Sequence, residues 1–124
     1  MKTNQVITFI VKWLTTYAKN ANVGGFVVGV SGGVDSAVTS TLCAMTGLKL
    51  TCLEMPIHQS ESHISRAQEH MKQLKKRFPN VQSVRVNLTP VFDSLVNEIN
   101  LNKPQSIVDM ALANSRARLR MTTL

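Results

Sequence analysis

The chain has 124 residues, a length that accommodates one domain. Apolar residues make up 44%, enough for a packed core, while no apolar run is long enough to cross a membrane as a helix. The net charge of +7 comes with only 5% aromatic residues, none interleaved with the basic clusters, so a base-stacking nucleic-acid surface is not favoured.

The N-terminal segment is amphipathic. Residues 4–20 place Val6, Ile7, Ile10, Val11, Leu14 and Tyr17 on one helical face, and a signal peptide's charged start, apolar core and cleavage site are not seen. Gly24-Gly25 ends that unit, and residues 26–30 form a first apolar strand. A helix over residues 34–45 follows, with Gly47 as its stop. The second strand covers residues 48–55 and is closed by Pro56. Ser60 or Ser62 caps a third helix that reaches Arg77 and is stopped by Pro79. Its basic run, Lys72 to Arg77, reads as a solvated face. Residues 83–88 make a third strand in which Val84, Val86 and Leu88 alternate. Thr89-Pro90 then reads as an N-cap followed by proline at the first helical position. That helix fades at Asn100 to Asn102, and Pro104 opens a last one. Cys43 and Cys52 match no metal or redox spacing and are expected to be buried thiols in a reducing cytoplasm. His63 and His70 could share a helical face, but two ligands do not make a metal site, so both are expected to face solvent.

Strands alternating with helices imply an α/β fold, a parallel sheet with helices on its faces and ligands at the carboxyl ends of the strands. The first strand empties there into Gly29-Val30-Ser31-Gly32-Gly33-Val34-Asp35-Ser36, and a helix begins at once. Such a turn aims backbone N–H groups and the positive end of a helix dipole at one spot, a cradle for phosphate or pyrophosphate. Ser31 and Ser36 offer hydroxyl donors, Gly32 and Gly33 let a ligand approach the backbone, and Asp35 can hold a magnesium ion. The lysine and spacing of a Walker A loop are missing. The segment resembles the signature loop of the ATP pyrophosphatases (the N-type family), which cut ATP between its α and β phosphates.

The last helix holds Ala113-Asn114-Ser115-Arg116-Ala117-Arg118-Leu119-Arg120-Met121, with Arg116 and Arg120 on one face and Asn114 and Arg118 on another. From charge alone this is a clamp for phosphate or carboxylate, or a solvated amphipathic helix. With the glycine loop, it resembles NAD synthetase, whose members typically carry Gly-Asn-x-x-Ala-Arg-x-Arg-Met at this place. The resemblance implies a Rossmann-like sheet of the adenine nucleotide alpha hydrolase kind, here about three strands of an incomplete single domain over residues 1–124. It implies ATP on residues 29–36, Mg2+ on Asp35, and deamido-NAD on Arg118, with Asn114 beside it; Arg120 matches the pattern without a role. The reaction implied is ligation: ammonia amidates deamido-NAD through an adenylate, releasing AMP and pyrophosphate, in a homodimer.

Some residues depart from the family. Ala113 replaces a glycine, and Glu54 precedes Met55-Pro56 where relatives often place arginine before Leu-Pro. The length is about half that of NAD synthetases, so the chain reads as an N-terminal portion with little activity alone. The thirty or so residues before the loop are too few for a glutamine-hydrolysing domain, which points to free ammonia or a partner protein as nitrogen donor. The alternatives are another ATP pyrophosphatase ligase (GMP synthetase-like or tRNA-modifying), a non-catalytic ATP-binding module, and a basic nucleic-acid binder.

Overall fold

A computed structural model describes residues 2–99 and 105–124; the boundary expected at Asn100 to Pro104 lies outside them. The elements are α1 (Thr3–Asn20), β1 (Gly25–Gly29), α2 (Val34–Met45), β2 (Lys49–Glu54), α3 (Glu61–Arg77), β3 (Val81–Arg85), α4 (Thr89–Ile99) and α5 (Gln105–Thr123). The three strands pair in parallel in the order β1-β2-β3.

The register explains the layering. Phe26, Leu50 and Val81 stand in one row across the sheet, and Val28, Cys52 and Ser83 in another on the same face. That face carries the larger core. Leu50, Cys52 and Val81 pack there with Cys43 and Ala44 of α2 and with Ala67, Met71 and Leu74 of α3, while Leu14 of α1 closes the edge. The second core lies at the carboxyl end of the sheet, where Leu53, Met55, Ile57 and Leu88 meet Phe92 of α4 and Leu112 and Leu119 of α5. Helices thus occupy both faces, as the alternation of elements implied.

Four sequence expectations are corrected. β3 begins two residues earlier and ends three earlier than the Val84, Val86, Leu88 pattern suggests: Val81 enters the larger core, Val84 stands half-exposed on the other face, and Val86 and Leu88 pack into the second core beyond the strand. Thr89 does not cap its own helix. Its hydroxyl accepts the His58 N–H at 3.1 Å, and the Asn87 side chain accepts the Thr89 N–H instead. In α1, Val6 and Tyr17 stand out in solvent, and Tyr17 stacks on Trp13. Finally, His70 does not face solvent: it is half-buried, with its Nε2 2.8 Å from the fully buried Ser40 hydroxyl of α2.

Other expectations hold. Ser60 caps α3, and its side chain accepts from the His63 N–H. Phe78, extended before Pro79, ends it. Both cysteines are buried and free. Burial pushes the Cys43 thiol up, and pushes Cys52 up to about 11, with Cys43 adding to the rise and Lys75 opposing it. They are inert packing groups.

Candidate functional site

The loop after β1 leaves the sheet at its carboxyl end, where Val30 N–H still bonds to Leu53 O at 2.8 Å. Gly32 then turns with φ +89°, a conformation that side chains other than glycine rarely adopt. A Cβ there would stand 2.5 Å from the His63 carbonyl oxygen of α3, so the loop also relies on glycine for its approach to that helix. Gly33 sits at the N-cap of α2 and supplies no side-chain cap. The backbone N–H groups of Gly32, Val34, Asp35 and Ser36 find no acceptor among the described residues. Four donors are left at the positive end of a twelve-residue helix, which suits an anion.

The two serines behave differently from their expected role as ligand donors. The Ser36 hydroxyl donates to Gly33 O at 3.2 Å and accepts from Ser31 N–H at 3.1 Å. The Ser31 hydroxyl accepts from Gly33 N–H at 3.2 Å and lies 3.3 Å from the Ser36 oxygen. They brace the loop from within, a preorganisation that holds the turn in shape. The brace continues inward: Ser40 donates to Ser36 O at 2.7 Å and meets His70 of α3.

Asp35 lies in the first turn of α2, and its exposed carboxylate takes no hydrogen bond among the described residues. It is the sole acidic residue in that turn. No group of three metal-ligating side chains exists among the described residues. One free carboxylate beside a phosphate cradle fits magnesium, which takes one or two carboxylates and completes its octahedron with phosphate oxygens and water.

Beyond Ser31 the loop borders a cleft of about 280 Å³ lined by Gly29, Val30, Ser31, Met55, Gln59, Arg120 and Leu124. Gly29 keeps it open, because a Cβ there would press on the Met55 methyl at 3.0 Å. Arg120 of α5 reaches across to the residue that follows β2, its Nε donating to Met55 O at 3.1 Å. Arg116, one turn earlier, lies over the Phe92 ring at 5.6 Å. A larger hollow of about 520 Å³ lies between α1, α2 and α3, away from the strand ends, and apolar side chains dominate its lining.

The structure therefore brings residues 29–36 together and adds Arg120, Met55 and Gln59, which sequence reasoning left without roles. It does not bring Asn114 and Arg118 there. Both are exposed, on the face of α5 turned away from Arg116 and Arg120. The signal for Arg120 was in the sequence: four residues after Arg116 and half a turn from Arg118, it had to share the face of α5 that docks on the sheet. Glu54 is buried, with the Gln68 amide 3.5 Å from both its oxygens.

Comparison with known proteins gives a consistent answer. The family described as NAD synthase matches residues 6–124. The NH3-dependent NAD(+) synthetase of Carboxydothermus hydrogenoformans is 34% identical over 121 residues, spanning 93% of this chain and 46% of that protein. Among solved structures, an NMN synthetase from Francisella tularensis aligns with a TM-score of 0.86 and 28% identity, covering all of this chain and 49% of the other. An NH3-dependent NAD synthetase from Campylobacter jejuni, in complex with the nitrate ion, aligns with a TM-score of 0.83 and 25% identity, covering 100% of this chain and 51% of that one. The chain spans about half the length of the relatives it matches.

Proposed function

The chain belongs to the NAD synthase family, and from that premise we propose that it serves NAD biosynthesis as the ATP-binding part of an ammonia-dependent ligase. The observation that carries the reading is the braced loop, with its four free N–H groups and the Asp35 carboxylate at one helix N-terminus. ATP lies with its pyrophosphate on residues 29–36. Asp35 would hold magnesium, which would supply charge neutralisation on the phosphates.

A carboxylate is a poor electrophile, so amidation requires activation. The carboxylate oxygen of deamido-NAD bonds to the α-phosphorus of ATP, and the bond to the β-phosphate oxygen breaks to release pyrophosphate. Ammonia then attacks the acyl carbon of the adenylate, loses a proton to solvent and expels AMP. The loop's part is electrostatic: its N–H groups meet the charge that develops on the leaving pyrophosphate. No protein nucleophile is required. Arg118 and Asn114 hold the nicotinate substrate from the exposed face of α5, a positioning role that needs the substrate to extend away from the cleft. A homodimer, as the family resemblance implies, supplies the remaining walls of that subsite.

A second substrate is favoured by one observation, the likeness to an NMN synthetase over the whole chain. The same chemistry on the mononucleotide acid yields NMN. Calorimetric titration of deamido-NAD and of its mononucleotide counterpart into the chain with Mg·ATP present separates the two. The acid that binds more tightly names the substrate. A folded chain that binds Mg·ATP and neither acid contradicts the reading.

A further inference from the structure

Arg120 is a cation in the cleft for which the proposed reaction has no stated use. Its Nε is bonded to Met55 O at 3.1 Å, which fixes the plane of the guanidinium. Among the described residues its two terminal nitrogens have no acceptor and no carboxylate pairs with them. No buried side-chain nitrogen lacks a partner there, so those nitrogens are open to the cleft's solvent. Burial, and then the neighbouring Arg116, lowers the Arg120 pKa. The site destabilises the positive charge, and an anionic ligand would offset that cost.

The geometry assigns to Arg120 the α-phosphoryl group of the nucleotide, the one under attack in the proposed reaction. The free N–H groups of residues 32–36 account for a pyrophosphate. The cleft then runs past Ser31 to Met55 and Gln59. Along ATP the pyrophosphate is joined to the α-phosphoryl and that in turn to the ribose, so the α-phosphoryl enters beside Arg120. A guanidinium oriented through Nε presents its remaining N–H donors as a fork that matches two phosphoryl oxygens. It also offsets charge as the α-phosphorus becomes five-coordinate. This assignment rests on the ATP reading above and extends it to a residue outside the loop.

Binding of three probes to the unmodified chain and to Arg120→Met tests it: Mg·ATP, AMP and inorganic pyrophosphate. The expected result is a loss of about tenfold or more for ATP and AMP, with pyrophosphate affinity unchanged and partial recovery in Arg120→Lys. Equal losses for all three probes with a lowered melting temperature would mean that Arg120 only ties α5 to the residue that follows β2. Unchanged ATP and AMP affinity would also overturn the assignment while leaving the ATP reading intact. Failure of the unmodified chain to bind any nucleotide would remove both. If Arg120→Met does not fold, the guanidinium nitrogen resonances of Arg120 in the unmodified chain decide. They move on adding AMP and stay in place with pyrophosphate, and no movement with AMP contradicts the assignment.

Discussion

Backbone conformation and close packing against α3 meet in one residue, Gly32. At φ +89° and with a Cβ position 2.5 Å from His63 O, alanine is excluded twice over, by conformation and by contact with backbone. Gly32→Ala is expected to destabilise the chain by about 1–3 kcal/mol and to weaken ATP binding, because the loop must move away from α3. Thermal melts with and without Mg·ATP check this. An unchanged melting temperature would mean that the turn adapts freely. Sequence reasoning identified this glycine through its motif, but for ligand access alone. The close approach of α3 was not legible, since nothing near position 32 records which carbonyl arrives from residue 63. The serine hydroxyls are a similar case: residue type marks them as donors, and only the folded loop reveals that they bond to each other.

Between elements, the Ser40–His70 contact ties α2, which opens on the glycine loop, to α3. Burial first, and Arg77 second, lowers the His70 pKa from its ordinary 6.5. The folded chain therefore keeps the imidazole neutral at pH values where the unfolded chain takes up a proton. The stability contribution of this group is level above pH 6.5 and is lost as the pH falls below it toward the lowered folded value. Denaturant midpoints between pH 7.5 and 5 should fall for the unmodified chain and fall less for His70→Gln, whose amide can still hydrogen-bond Ser40 without titrating there. Parallel curves would remove His70 from the account. The same scale shows where pattern reading succeeds and fails. α2 and α3 were legible because a glycine loop, a serine cap and a proline fix their ends. β3 was misplaced because Val84 stands on the face opposite the larger core and Val86 and Leu88 follow beyond the strand, and a period of two does not say which face is covered.

Among the described residues, the order β1-β2-β3 leaves the second sheet face covered only at its carboxyl end. Val27 and Val84 stand 49% and 45% exposed on it, and the Val27 row continues through Thr51, which accepts a hydrogen bond from Gln82. Apolar surface of this kind favours association. Sedimentation velocity should show self-association that rises with concentration and weakens in Val84→Thr, whereas a single monomeric species at every concentration would contradict it. The fold class was legible from the alternation of elements alone, since βαβ units leave few topologies open. The extent of coverage was not, because it depends on how far α4 and α5 reach over the sheet.

The proposed function stands on residues 29–36 binding the phosphates of ATP, with magnesium on Asp35. Calorimetric titration of Mg·ATP into this chain and into Asp35→Ala tests it most directly, with circular dichroism to establish that both are folded. Binding is expected to depend on magnesium and to weaken about tenfold or more in the variant. A folded chain that binds ATP equally with and without Asp35, or that binds none, would contradict it.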